Sequence, residues 1–175
     1  MHMKLQSLLL VFAVCMGAEA ADDISLMKLK ATNSCGGCDL SNADLEDANL
    51  EFAELRDADL TSASLEDANL EYAKLTGANL TSANLEDADL AEANLSNANL
   101  TDAKLTDAYL TSANLKDANL SNVDLTDADL DYADLKDANL SNADLTDASL
   151  KNTRNLSEAK LCKTTLPWGV DNSGC

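Results

Sequence analysis

From Leu40 to Leu150 every fifth residue is leucine, 23 in succession. Two places before each stands alanine, from Ala43 to Ala148, with Val123 as the one exception. A period of five excludes the two common elements. On an α-helix it advances about 500°, so successive leucines step by about 140° and scatter round the surface. On a flat strand an odd period throws successive leucines onto opposite faces. The pattern closes only if the backbone turns a corner every five residues, with Leu and Ala pointing inward. The other three positions, rich in Asp, Asn, Ser, Thr, Glu and Lys, then face solvent. Stacked coils supply each other's backbone hydrogen bonds.

The residue two places after each leucine, from Asn42 to Asn152, gives the number of sides. Identities at a shift of 5 residues are 1 of 22, and at 15 they are 2 of 20. At 10 they are 7 of 21, and at 20 they are 8 of 19. A triangular coil would favour 15 and loses. Two sides enclose no core, so a four-sided coil of about 20 residues remains.

Units such as Ala48-Asn49-Leu50 and Ala58-Asp59-Leu60 resemble those of the pentapeptide repeat proteins. The match runs from about Asp39 to Leu150, with degenerate units to Leu166. The resemblance implies an all-β fold, a right-handed four-sided β-helix, and it carries over no catalytic residues. The chain divides into a signal peptide over 1–20, an N-terminal cap over 21–38, the repeat β-helix over 39–166 and a C-terminal cap or tail over 167–175.

Lys4, the apolar run from Leu8 to Met16 and the small-x-small site Ala18-Glu19-Ala20 read as an export signal cut between Ala20 and Ala21. The run is too short for a lasting membrane anchor. The only histidine, His2, leaves with it. Four cysteines follow the cut, and an even count in an exported chain favours disulfides. Cys35 falls in the leucine register and Cys38 in the alanine register, so both should point inward. The preferred pairing, of three formally possible, is Cys35–Cys38 with Cys162–Cys175. Cys-Gly-Gly-Cys also reads as a redox pair, but no exposed, activated thiolate at a helix start is visible, which favours a structural use. A four-cysteine zinc site fails because the two pairs lie at opposite ends of the solenoid. Ile24, Leu26 and Leu29 should cover the first coil, and Trp168 the last.

With the interior given to packing, function belongs to the outer edges. One edge carries Asp47, Asp67, Asp87, Asp107, Asp127 and Asp147, preceded by Glu46, Glu66 and Glu86 in its first half. It reads as a solvated acidic face, with calcium the one cofactor it would suit. A second edge is a hydroxyl ladder of Ser41, Thr61, Thr81, Thr101, Ser121 and Ser141, the kind of surface a glycan could meet. A third holds Phe52, Tyr72 and Tyr132, where Phe52 over Tyr72 forms the preferred partner contact. The fourth alternates sign at Arg56-Asp57, Lys116-Asp117 and Lys136-Asp137, which suggests ion pairing.

A formal net charge of −19 opposes direct binding to nucleic acid or an anionic membrane. No nucleophile elbow, phosphate loop or catalytic cluster is visible, so no enzyme is expected. The reading is an exported binding or structural module with a protein partner, monomeric or paired end to end, in the periplasm or a similar compartment. The alternatives are a calcium- or glycan-binding surface, or a DNA mimic engaging topoisomerase if the chain is not exported.

Overall fold

The structure, a computed structural model, describes the backbone of residues 19–175 and the side chains from Ile24 onward. The signal-peptide reading therefore lies outside the described residues except at its last two positions. There, helix α1 (Glu19–Thr32) runs straight through the Ala20–Ala21 junction.

After the helix the backbone repeats with a strict step. Ser34 bridges to Glu54, Glu54 to Lys74, and so on through Asn94, Asn114 and Asp134 to Arg154, each a parallel pairing 20 residues apart. Three further bridge series, beginning at Asp39, Asp44 and Asn49, run beside it and define the other sides. Six such steps make a rod about 29 Å long at the usual strand spacing of about 4.8 Å. Each side is so short that only the residue before each leucine pairs, so the walls are stacked single bridges between turns.

The corner explains the period. The alanine N–H donates to the carbonyl of the leucine three places earlier, as in Ala63 to Leu60 at 3.0 Å. Between them the residue two places after the leucine has a positive φ, from 54° to 70°, at every one of the 23 corners from Asn42 to Asn152. A positive φ at the third position of a turn but not at the second is the type II pattern. That conformation costs most residues about 1 kcal/mol or more, and Asp, Asn and Gly tolerate it best. Those three types fill 16 of the 23 corners.

The remaining N–H groups are accounted for along each five-residue unit. Leu60 N–H donates to Asn79 O at 2.7 Å, Ser62 N–H to Thr81 O at 2.9 Å, and Asn79 N–H back to Ala58 O at 2.9 Å. The one left over, on the residue after leucine, is met in 17 of the 23 units by the Asp or Asn side chain two places before it. Thr61 N–H reaches Asp59 Oδ1 at 3.0 Å, and Glu71 N–H reaches Asn69 Oδ1 at 2.9 Å. Backbone polar groups withdrawn from water need partners, and where Asp or Asn stands before the leucine this side chain completes the set.

Inside, every Leu and Ala position from Ala53 to Leu145 is at most 1% exposed. Each buried leucine contributes about 1.5–3 kcal/mol as an upper bound.

Both ends depart from the repeat. The all-β expectation fails at the first: α1 lays Leu29 and part of Leu26 over the opening coil, but Ile24 stands 57% exposed. Leu26 and Leu29 are three apart and share a face, whereas Ile24 points elsewhere. Asn33 ends the helix at φ 52°, its N–H donating to Leu29 O at 2.8 Å. The first corner is Cys35-Gly-Gly-Cys38. Cys35 is buried, Cys38 packs partly against the core, and the two are disulfide-bonded across the turn.

At the far end the step changes from 20 to 21: Asn139 pairs Lys160 and Asp144 pairs Thr165. Left-handed Asn155 and a short 3-10 turn at Leu156–Glu158 absorb the extra residue. Strand β1 (Thr164–Leu166) then pairs antiparallel with β2 (Gly169–Asp171), reversing at Pro167 and Trp168. The lid differs from expectation. Leu161, Thr164 and Leu166 are the buried residues, while Trp168 sits on the hairpin turn at 67% exposure. A disulfide joins Cys162 to Cys175. Gly174 approaches so closely that a Cβ there would stand 2.5 Å from the Leu161 nitrogen.

Leu95→Ala should cost about 2–5 kcal/mol in a thermal or urea melt. Leu95→Asp places a carboxylate between Leu75 and Leu115 and should cost more and abolish the cooperative transition. Tyr132 has a bulky ring at a left-handed corner and is 52% exposed. Tyr132→Asn should therefore raise stability by about 1 kcal/mol, read as a higher urea midpoint. A lower midpoint would mean the ring makes contacts that outweigh the backbone cost.

Candidate interaction surface

The corner geometry assigns each outer column a structural part before any functional one. Asp47, Asp67, Asp87, Asp107, Asp127 and Asp147 all occupy left-handed corners and all are exposed. Their identity meets the backbone requirement of the turn. Among the described residues no three His, Cys, Asp or Glu side chains come together as a metal site. The column is thus a spaced series of single carboxylates, each about 4.8 Å from the next coil.

The hydroxyl ladder is occupied by internal bonding. Thr61, Thr81 and Thr101 accept from the amides of Asn79, Asn99 and Asn119 at 2.7–2.8 Å. Those amides also bond one another along the rod: Asn99 to Asn79 at 3.4 Å, Asn119 to Asn99 at 3.2 Å and Asn139 to Asn119 at 3.1 Å. This amide ladder was not foreseen. Its signal was present as Asn or Asp before 17 of the 23 leucines, but solvent exposure explained that pattern equally well.

The edge of alternating sign behaves differently from the expected pairing. Lys116 does approach Asp117, at 3.9 Å, but Lys136 turns to Glu158, and Arg56 forms no ion pair with Asp57 among the described residues. Lys74 pairs with Glu54 of the preceding coil, and that contact holds the Glu54 carboxyl below its ordinary pKa. All these groups are well exposed, so the pairs contribute little to stability.

The third edge brings its aromatics together. Phe52 and Tyr72 stack with ring centroids 5.1 Å apart and planes 9° from parallel. Tyr132, three coils further along, does not join them. Both stacked residues occupy left-handed corners, at φ 57° and 56°. The Tyr72 hydroxyl donates to Glu92 Oε1 at 3.4 Å. Glu92, partial burial, Glu71 and Glu51 together raise its pKa.

Two clefts lie at the ends. One is lined by Leu29, Asn33, Leu45, Ala48 and Leu50 where α1 leaves part of the first coil uncovered. The other lies beneath Trp168, among Leu156, Leu161, Leu166 and Asp171. Among the described residues no helix is long and apolar enough to cross a membrane.

Comparison with known structures places this rod among others of its kind. A pentapeptide repeat protein of the Arabidopsis thaliana thylakoid lumen is 31% identical, covering 62% of this chain and 72% of its own, with a TM-score of 0.55. A pentapeptide repeat protein from Nostoc PCC 7120 is 35% identical over 55% of this chain and 72% of its own, with a TM-score of 0.46. Rfr23 from the cyanobacterium Cyanothece 51142 is 30% identical over 78% of this chain and 97% of its own, with a TM-score of 0.36. No curated relative matches the chain. The sequence pattern of the pentapeptide repeats matches 8 copies, over residues 38–77, 63–102, 103–142 and 128–166. With a five-residue period, inward Leu and Ala, and that match over most of its length, the chain belongs to the pentapeptide repeat family.

Proposed function

We propose that this chain is an exported, non-catalytic module, a right-handed β-helix that presents an outer face to a protein partner. One observation carries the reading: the interior is wholly committed to packing, with every inward position from Ala53 to Leu145 at most 1% exposed. Recognition is left to edges whose spacing the backbone holds rigid, and a rigid surface loses little entropy on binding. Export is supported by the basic-apolar-small pattern before Ala21, by disulfides at both ends, and by the likeness to a thylakoid-lumen protein. In this reading the rod is a monomer or pairs end to end through the Trp168 hairpin. The calcium and glycan readings find less support. The acidic column meets a turn requirement, and the hydroxyl ladder is taken up by Asn side chains.

Affinity capture from an envelope extract tests the proposal, with the oxidised protein as bait beside a Phe52→Ser/Tyr72→Ser variant. The expected result is a protein retained by the wild type at physiological salt. No retained protein at either low or physiological salt would overturn it.

A further inference from the structure

The aromatic edge is the one place among the described residues where aromatic rings occupy left-handed corners of neighbouring coils. Bulky side chains at positive φ are uncommon, and such positions, when kept, concentrate at binding sites. The stack is also open. Phe52 is 59% exposed, and no coil precedes it, since Thr32, twenty residues earlier, is the last residue of α1. Tyr72 covers one face of its ring, and with Phe52 still 59% exposed the ring remains accessible to a guest.

The surroundings select the guest. Glu51 and Glu71 immediately precede the two aromatics, and Glu92 receives the Tyr72 hydroxyl. None of these three carboxylates forms an ion pair among the described residues, whereas Glu54 on the adjoining side has Lys74. An aromatic face carries negative potential and attracts a cation laid against it. A guanidinium is planar, stacks on a ring and offers forked donors to carboxylates, which an ammonium does not. A neutral sugar could stack on the ring but would bring no counter-charge to the three carboxylates. With a net charge of −19 over the whole chain, approach of a basic segment is favoured and that of an acidic one opposed.

We propose that the Phe52–Tyr72 step, with Glu51, Glu71 and Glu92, is a docking site for an arginine-bearing segment of a partner protein. The guanidinium lies on the outer face of Phe52 and its N–H groups donate to Glu51 of the same coil, while Glu71 and Glu92, one and two coils further along, add to the negative field that draws it in. This rests on the protein-binding reading and names the chemistry of the partner.

The test titrates a short Gly-Arg peptide, and a matched Gly-Lys peptide, into isotope-labelled protein at physiological salt, followed by NMR. The Phe52 and Tyr72 ring signals should shift saturably, and the Arg peptide should bind more tightly than the Lys peptide. Phe52→Ser should weaken binding about two- to fivefold. This variant should fold, because Ser62, Ser82 and Ser112 already occupy left-handed corners, and an unchanged circular dichroism spectrum checks it. Glu51→Gln/Glu71→Gln should weaken binding while leaving the stack in place. Shifts spread evenly along Asp47 to Asp147, with affinity unchanged in Phe52→Ser, would overturn the proposal in favour of net charge alone. Ring-signal shifts with a neutral oligosaccharide but not with the Arg peptide would overturn it in favour of a glycan. Failure here is separable from failure of the protein-binding reading. A partner captured equally by wild type and by Phe52→Ser/Tyr72→Ser keeps that reading and overturns this one, and the titration needs no captured partner.

Discussion

A left-handed residue at every corner is the constraint on which the rest of the solenoid depends. Turning the backbone sharply after each leucine brings Leu and the next Ala to the same inner wall. It also returns the chain to the same place after four corners. The turn forces φ near +57° on an outward residue, so the composition of the surface is partly dictated by backbone sterics. Asp recurs at 47, 67, 87, 107, 127 and 147 because it tolerates that conformation at low cost, and acidity follows. A surface charge of this origin needs no ligand to explain it.

Magnitudes decide why so acidic a rod holds together. Neighbouring carboxylates in one column, about 4.8 Å apart, repel by about 0.9 kcal/mol in water, and salt reduces this further. Each buried leucine returns about 1.5–3 kcal/mol as an upper bound, and every coil has four. Backbone bonds between coils add to this, as do side-chain bonds such as those of Asn79, Asn99 and Asn119. The interior outweighs the repulsion at every level, which lets the fold tolerate a net charge of −19.

What the sequence made legible was whatever recurs. The leucine period implied corners, the shift analysis implied 20 residues per coil, and the bridges from Ser34 through Arg154 have that spacing. The two cysteines of the first corner occupy the inner register that their position in the repeat implied, Cys35 fully and Cys38 in part. What recurs nowhere was harder to read. The segment Glu19–Thr32 has no repeat and only a weak apolar stripe, and its helix covers the first coil with Leu29 and Leu26 but not Ile24. Trp168 was expected to cover the last coil from its place just past the last repeat unit, but Pro167 beside it belongs to a hairpin reversal, which points the ring outward. The Asn side chains before leucine were read as solvated. Their role is visible only once the N–H groups are counted and one per unit is found without a backbone partner.

In a repeat whose consensus satisfies the backbone so completely, residues that follow the consensus carry little information about function. An Asp at a corner, an Asn before a leucine or a Thr after it each has a sufficient structural cause. A departure from consensus that keeps the fold while accepting a local cost has none, and such departures are where recognition can be sought. Phe52 and Tyr72 are departures of this kind, adjacent in space and at unfavourable backbone positions. Their mutual stacking offsets part of the cost, since aromatic pairs add about 0.5–1.5 kcal/mol beyond burial. Tyr132 has the same strained backbone in the same column but no stacked neighbour. Comparing these positions separates what stacking repays from what remains, and that remainder measures what the exposed rings cost the fold to keep.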